Sequence, residues 1–423
     1  MVRAITRPFF MNYENSLSFA RSLDQKDHLS SYRNDFHYPK DDHGNELIYF
    51  CGNSLGLQPK SASKQMDKEF SMWSKMGVLG QEERWIAYHE KLTKPFANLV
   101  GGKDTEVVAM NALTVNIHLL LISFYQPEKR KIKILMEKDA FPSDHYAIQS
   151  HIELHGYKLK DTLIEVAPRV GEKVMRDQDI IDLIEKNSEE LALIYLGGLN
   201  YYTGQALDIE AITSIAISKG IKVGFNLAHS AGNVPLELHD WGVDFAAWCT
   251  YKYLCGGPGA PAGTFIHDRH HDWKGPRLLG WWGHNKESRF EMPSLFDPIQ
   301  TSEAWQISNA PIMGMAPLIA SMEIFNQVGM KSISQKGKQL SSFLEYVLKN
   351  TLPEVNIITP KKRGCQLSIA VPGGRDVFNF LHDGGVVCDW RNPDVIRVAP
   401  HPLFNSFVEI FRFVQILKNA IEK

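Results

Sequence analysis

The stretch VGFNLAHSAGNVPLELHDWGVDFAAWCTYKYLCGGP, Val223 to Pro258, decides the reading of this chain. A strand is predicted over Ile221–Phe225, then a polar loop, then a second apolar strand over Phe245–Cys249 that runs into Tyr251-Lys252. A lysine just past a buried strand cannot keep its ammonium buried and unpaired without a large cost. It needs solvent or a chemical task. One task fits: a Schiff base with the aldehyde of pyridoxal phosphate (PLP), a cofactor usually helped by an acidic partner at its pyridine nitrogen. At the end of the first strand, where an Asp would serve, stands Asn226.

On both sides of this stretch strands and helices alternate. Strands are predicted over Lys131–Met136 and Leu191–Leu196. Helices are predicted over Ser61–Met76, Asp179–Asn187 and Asp208–Ser218, the last with an Asp at its start and Gly220 just past its end. The alternation argues for an α/β fold with a mainly parallel sheet covered by helices. Ligands of such sheets bind beyond the carboxyl ends of the strands. Asn226, Lys252 and the FPSD and YYTGQ loops all fall there. In NALTVNIHLLLISFY, from Asn111, Thr114 can cap a helix; its N-terminus is either a phosphate seat or a plain capped core helix. After Pro311 the character shifts to amphipathic helices (Ile312–Val328, Leu340–Leu348), short strands, and a capping box at Ser406–Glu409. The expected division is residues 1–60 as a segment packing with the small domain, 61–310 as the large cofactor domain, and 311–423 as a small α+β domain.

With 423 residues, 44% hydrophobic and 22% charged, the chain has ample material for a core. A net charge of −2 gives no basic footprint for nucleic acid and no polybasic membrane patch. No apolar run is long enough to span a bilayer, and MVRAITRPFFMNYENS lacks a signal-peptide core. The five cysteines are scattered, form no CxxC pair, and read as free thiols of a cytoplasmic protein. No metal-ligand pattern stands out.

Taken in order, YFCGNSLGLQPK, NALTVNIHLLLISFY, AFPSDHYA, YYTGQ, AHSAGNV, LHDWGVDFAAWCTYKYL, GWWGH, ISNAPI and RNPDVIRVAPHPLFNSF resemble the kynureninase family, from about Ile48 to the end. The resemblance implies PLP fold type I, with a seven-stranded-type sheet in the large domain. It implies hydrolysis of L-kynurenine or its 3-hydroxy form to an anthranilate and L-alanine, within tryptophan breakdown or NAD synthesis. It implies that Lys252 holds PLP and moves protons, and that Tyr251 touches the phosphate and relays a proton to Cβ. Leu113 and Thr114 match the phosphate seat. Phe141, in the FPSD loop with Pro142 and Ser143, matches the ring that stacks on the pyridine; composition alone allows a core Phe. Asp144 resembles the active-site aspartate near the cofactor, although by position it could be a helix cap. His229 matches a place near the ring, and Trp281 and Asn309 match cofactor contacts. Arg397 matches the clamp on the substrate carboxylate, where a surface ion pair is the plainer reading. Ser54 matches a position near the substrate. Part of the site comes from the neighbouring subunit in this family, which implies a homodimer.

Three positions depart from the family pattern. The family has FDLAH where this chain has FNLAH, and Asn226 cannot supply the charge that keeps the pyridine nitrogen protonated. A slower enzyme is expected, or one limited by Cα deprotonation. The family's GH…PW segment is GVLGQEERW here, with Gln81 in place of the His and Arg84 before Trp85, which bears on recognition of the aromatic ring. Cys255 replaces a more usual Asn and is expected to affect packing only. These departures leave open a PLP-dependent hydrolase or lyase on another β-acyl or aryl amino acid, or a PLP-binding relic of low activity.

Overall fold

The computed structural model describes residues 12–423. The arginine-bearing start of the N-terminal patch lies outside the described residues. Seven strands form the large sheet, in the spatial order Val107–Met110, Ala262–Ile266, Phe245–Trp248, Lys222–Asn226, Leu191–Gly197, Lys133–Glu137, Leu163–Val166. Only Ala262–Ile266 runs against the others. The fold is thus α/β with a mostly parallel seven-stranded sheet. Its central strands are buried on both faces, through Leu193, Ile194, Val223, Phe225 and Ala246. Helices cover both faces, so the strands read as apolar runs rather than alternating ones. Parallel pairing aligns Gly197 with Asn226 and brings the carboxyl ends of Lys133–Glu137, Leu191–Gly197 and Lys222–Asn226 to one edge.

The strands Val107–Met110, Leu163–Val166 and Ala262–Ile266 were not legible as strands. Each has four or five residues, below the length at which periodicity separates strand from helix. The helix after Asn111 spans Leu113–Phe124 with Ala112 at its N-cap and no side-chain cap. Thr114 is therefore not the cap. It sits in the first turn, with Oγ1 2.8 Å from Ser143 Oγ.

A four-stranded antiparallel sheet follows, in the order Asp389–Arg391, Val395–Val398, Leu367–Ala370, Asn356–Ile357. With the helices Leu17–Gln25, Met330–Thr351 and Phe407–Ile421 it encloses a second core. Ser406 and Glu409 form the reciprocal capping box that opens the last helix. The helix expected over Leu340–Leu348 is Met330–Thr351, longer because its polar first half buries Ile333 and Lys336, and Lys336 meets Asp27 at 2.6 Å. The preceding helix, Ile312–Val328, gives Met315, Leu318 and Phe325 to the larger core, against Ser61–Met76. Among the described residues, no helix is long and apolar enough to cross a membrane.

Candidate active site

A cleft of about 340 Å³ opens at the carboxyl edge of the large sheet. Ser54, Leu113, Thr114, Phe141, Ser143, Asp144, Asn226, His229, Tyr251, Lys252 and Arg397 all line it. Pro142 opens the helix Pro142–Leu154 beside them and does not line the cleft. Within this one chain Trp281 and Asn309 do not reach it. Asn309 is exposed, and the Trp281 ring, about half exposed, donates to the Arg289 carbonyl at 2.9 Å.

Lys252 lies four residues past the end of Phe245–Trp248 and is partly buried. Its Nζ is 3.1 Å from His229 Nε2 and 5.9 Å from the centre of the Phe141 ring. Burial lowers the ammonium pKa, the change an amine needs to act as nucleophile and base. Burial, then the nearby Lys252 charge, hold the His229 imidazole well below its usual range, so His229 meets Lys252 as a neutral ring. Burial pushes the Tyr251 phenol up to about 12, which keeps it a proton donor.

The Lys252 loop rests on the CGNSLG turn. Gly56 N donates to the Tyr251 carbonyl at 2.8 Å, and a Cβ at Gly56 would lie 2.4 Å from the Lys252 carbonyl oxygen. Only glycine permits that approach. Cys255, in the same loop, is buried at φ +53, a left-handed conformation that Asn tolerates better than Cys. The departure at 255 therefore touches the backbone as well as packing.

Asn226 ends its strand with both amide groups engaged. Oδ1 accepts from Ala228 N at 2.9 Å, and Nδ2 donates to both Asp144 oxygens, at 3.0 and 2.9 Å. Asp144 is buried, and burial pushes its carboxyl up to about 6 against the pull of Asn226 and Lys252. Behind it Glu137, also buried, accepts from Asn200 Nδ2 at 2.9 Å, and burial raises its carboxyl to about 7.

Arg397 is almost wholly buried, which removes the surface ion-pair reading. It pairs with Asp389 across the small sheet and donates from Nη1 to the Tyr201 carbonyl at 2.6 Å. Arg391 shares Asp389 at 3.2 Å and also lines the cleft. Glu137 and Arg391 were not singled out in the sequence. Carrying the Lys131–Met136 strand one residue further would have placed an acid at its carboxyl end. Arg391 lies inside RNPDVIRV, but only antiparallel pairing of Asp389 with Arg397 brings the two guanidinium groups onto one carboxylate.

Gln81 is exposed and outside the cleft. Arg84 forms a two-point pair with the buried Glu69 (Nε at 2.8 and 2.9 Å), which also accepts from Trp85 Nε1 and Tyr88 OH. The substituted residue in this segment thus has a structural partner.

The residues fit a phosphorylated aromatic cofactor and an amino-acid substrate. The first turn of Leu113–Phe124 has no capping side chain, and Ala112, Leu113 and Thr114 at that end line the cleft with Ser143, so its free N–H groups are available to an anion there. Asn53 Oδ1, His229 Nδ1, Arg391 Nε and Arg397 Nε, all on cleft-lining residues, are buried without a hydrogen-bond partner. Buried polar groups are rarely left so in a finished site.

The whole architecture superimposes on solved structures, among them a C-DES mutant with glycine covalently linked to its PLP cofactor. A cysteine desulfurase from Thermococcus onnurineus matches with a TM-score of 0.75 at 20% identity, over 93% of this chain and 98% of that one. The cystine C-S lyase C-DES matches with 0.75 at 20%, over 88% and 97%. The fold is that of the PLP-dependent fold type I enzymes. A family model for the kynureninase C-terminal domain matches residues 333–417. Curated kynureninases align over nearly their full length. The Flavobacterium psychrophilum protein is 48% identical over 97% of this chain and 99% of its own; the Homo sapiens protein is 43% identical over 95% and 92%. The chain belongs to the kynureninase family.

Proposed function

We propose that this chain is a PLP-dependent hydrolase that cleaves the Cβ–Cγ bond of L-kynurenine or 3-hydroxykynurenine. Water supplies oxygen to the former Cγ carbonyl, giving anthranilate or 3-hydroxyanthranilate, and Cβ takes a proton, giving L-alanine. The observation that carries the reading is the convergence of Lys252, Asp144, Arg397 and an uncapped helix N-terminus in one cleft of a kynureninase-family chain.

When bound, PLP supplies a carbonyl for the substrate amine and a ring that accepts electrons from Cα and then Cβ. Leu113, Thr114 and Ser143 would hold its phosphate, and Phe141 would stack on its ring. Lys252 anchors the cofactor, and its lowered amine pKa lets Nζ take the proton from Cα. Tyr251, still protonated at neutral pH, donates to Cβ once the bond breaks. Arg397, with Arg391 beside it, receives the α-carboxylate, and the unpartnered Nε atoms support that role. Ser54 sits at the substrate side of the cleft. Trp281 and Asn309 complete the site from a second subunit of a homodimer, in keeping with their distance from this chain's own cleft. The five unbonded cysteines suit a reducing cytoplasm, and the reaction belongs to tryptophan breakdown or NAD synthesis.

The test is anthranilate fluorescence on mixing purified, PLP-loaded protein with L-kynurenine, with loading checked beforehand by visible absorbance. Anthranilate release is expected. Full loading with no product from either kynurenine would overturn the substrate assignment.

A further inference from the structure

The Asn226 amide cannot be turned around. Its Oδ1 faces the Ala228 N–H and its Nδ2 faces a carboxylate; the flipped amide would set oxygen against carboxylate and N–H against N–H. The side chain is therefore a fixed donor to Asp144, and its Oδ1, already bonded to Ala228 N, could offer a ring N–H only a neutral acceptor and no charge.

An Asp at this place would stand within hydrogen-bond reach of the Asp144 carboxylate. Two carboxylates that close cannot both ionise, so one would carry a proton and donate it to the other. That shared proton would lie where the Asn226 Nδ2–H lies now. Asn226 reproduces the protonated member of such a pair without needing the proton.

We infer that Asp144 is the carboxylate that faces the cofactor's pyridine nitrogen in this chain, and that Asn226 is a positioning residue that holds it ionised and oriented. This rests on the PLP reading above and removes the expectation that an amide at 226 leaves the ring without a counter-charge. The charge comes from the first turn of Pro142–Leu154 instead of the end of Lys222–Asn226. Three other groups face it: Lys252, whose cation favours its ionised form; Glu137, whose charge opposes it; and the buried Tyr195 phenol. Glu137 lines the same cleft, and the two donor bonds from Asn226 favour the negative charge on Asp144 over Glu137.

The deciding experiment uses PLP labelled with 15N at the ring nitrogen, whose chemical shift reads protonation directly, without turnover. The wild-type holoenzyme is expected to show a protonated ring nitrogen at neutral pH, and Asp144→Asn an unprotonated one. Asn226→Leu, which removes the donor and adds no charge, is expected to raise the pH at which Asp144 ionises in the apoprotein, read by 13C-carboxyl NMR. Asn226→Asp is expected to bring an additional protonation step, the two carboxyls then titrating as a coupled pair. A protonated ring in Asp144→Asn, or an unprotonated ring in the wild type, overturns the assignment of Asp144. An unchanged Asp144 titration in Asn226→Leu overturns the role of Asn226. Should Asp144→Asn fail to fold, the wild-type shift and the apoprotein titrations still decide. If labelled PLP does not bind the wild type at all, the PLP reading falls and takes this inference with it.

Discussion

Arg397 shows how much rests on one side chain. Its fork is nearly sealed from solvent, held by Asp389 and the Tyr201 carbonyl, with Nε left over. Arg397→Lys keeps the charge and loses the planar fork, so KM is expected to rise about tenfold or more with a smaller fall in kcat. Steady-state kinetics on L-kynurenine measures it, and an unchanged KM would remove Arg397 from carboxylate binding. Glu137 gives a second prediction at this scale. Its carboxyl has a pKa of about 7 when folded and an ordinary one when unfolded. The folded state thus binds the extra proton between the two values, and stability falls as pH rises through that window. Full ionisation of Glu137 costs on the order of 3 kcal/mol. Glu137→Gln removes the titration. Its apoprotein Tm is expected to change less between about pH 5 and about pH 8 than that of the wild type. Equal pH dependence in the two proteins, by scanning calorimetry, would refute this. Lys252 and Arg397 were legible in the sequence because their neighbours form recognisable strings. Glu137 was not, because a Glu one residue past an apolar strand looks like any surface acid until parallel pairing places it.

At the scale of elements, the seat of Lys252 is built by a turn two hundred residues away in sequence. The CGNSLG turn meets the Tyr251–Cys255 loop backbone to backbone, and Gly56 is where they touch. Gly56→Ala places a methyl group against the Lys252 carbonyl, so the loop must move. Cofactor affinity is expected to fall at least tenfold, a cost of about 1.4 kcal/mol or more, as read by visible-absorbance titration of the apoprotein. Affinity equal to wild type would show that the loop absorbs the methyl group. Cys255→Asn, in the same loop, relieves a left-handed residue. It is expected to raise stability by some tenths of a kcal/mol up to about 1 kcal/mol, seen as a higher Tm. The glycines and Asn53 of CGNSLG are turn residues by type, yet nothing in the sequence pairs residues 56 and 252. The uncapped start of Leu113–Phe124 is similar: Thr114 is a good capping residue by type, but the helix begins before it. The preceding strand ends at Met110 and Ala112 takes the N-cap position, so the helix is already under way at Thr114.

For the molecule as a whole, the two cores meet where the Met330–Thr351 helix takes over from Ile312–Val328, one helix later than the composition shift at Pro311. The cleft lies between them, with Lys252 and Asp144 at the carboxyl edge of the large sheet and Arg391 and Arg397 on strands of the small one. Trp281 and Asn309 stand away from the cleft of their own chain. This leads to a prediction about assembly. Lys252→Ala and Asn309→Ala, each inactive alone, are expected to recover roughly a quarter of the wild-type rate when their subunits are mixed at random, because each hybrid dimer holds one intact site. No recovery from verified hybrids would show that Asn309 serves its own chain. The sequence by itself determined the α/β fold, the alternation that makes the sheet parallel, and most of the side chains that line the cleft, because apolar periodicity and linear motifs are local properties of the chain. Only the tertiary structure decided which carboxyl faces which amide. Asn226 and Asp144 are eighty-two residues apart, and their partnership exists only because a strand end and a helix start are packed side by side in a buried place where a lone charge must find a donor.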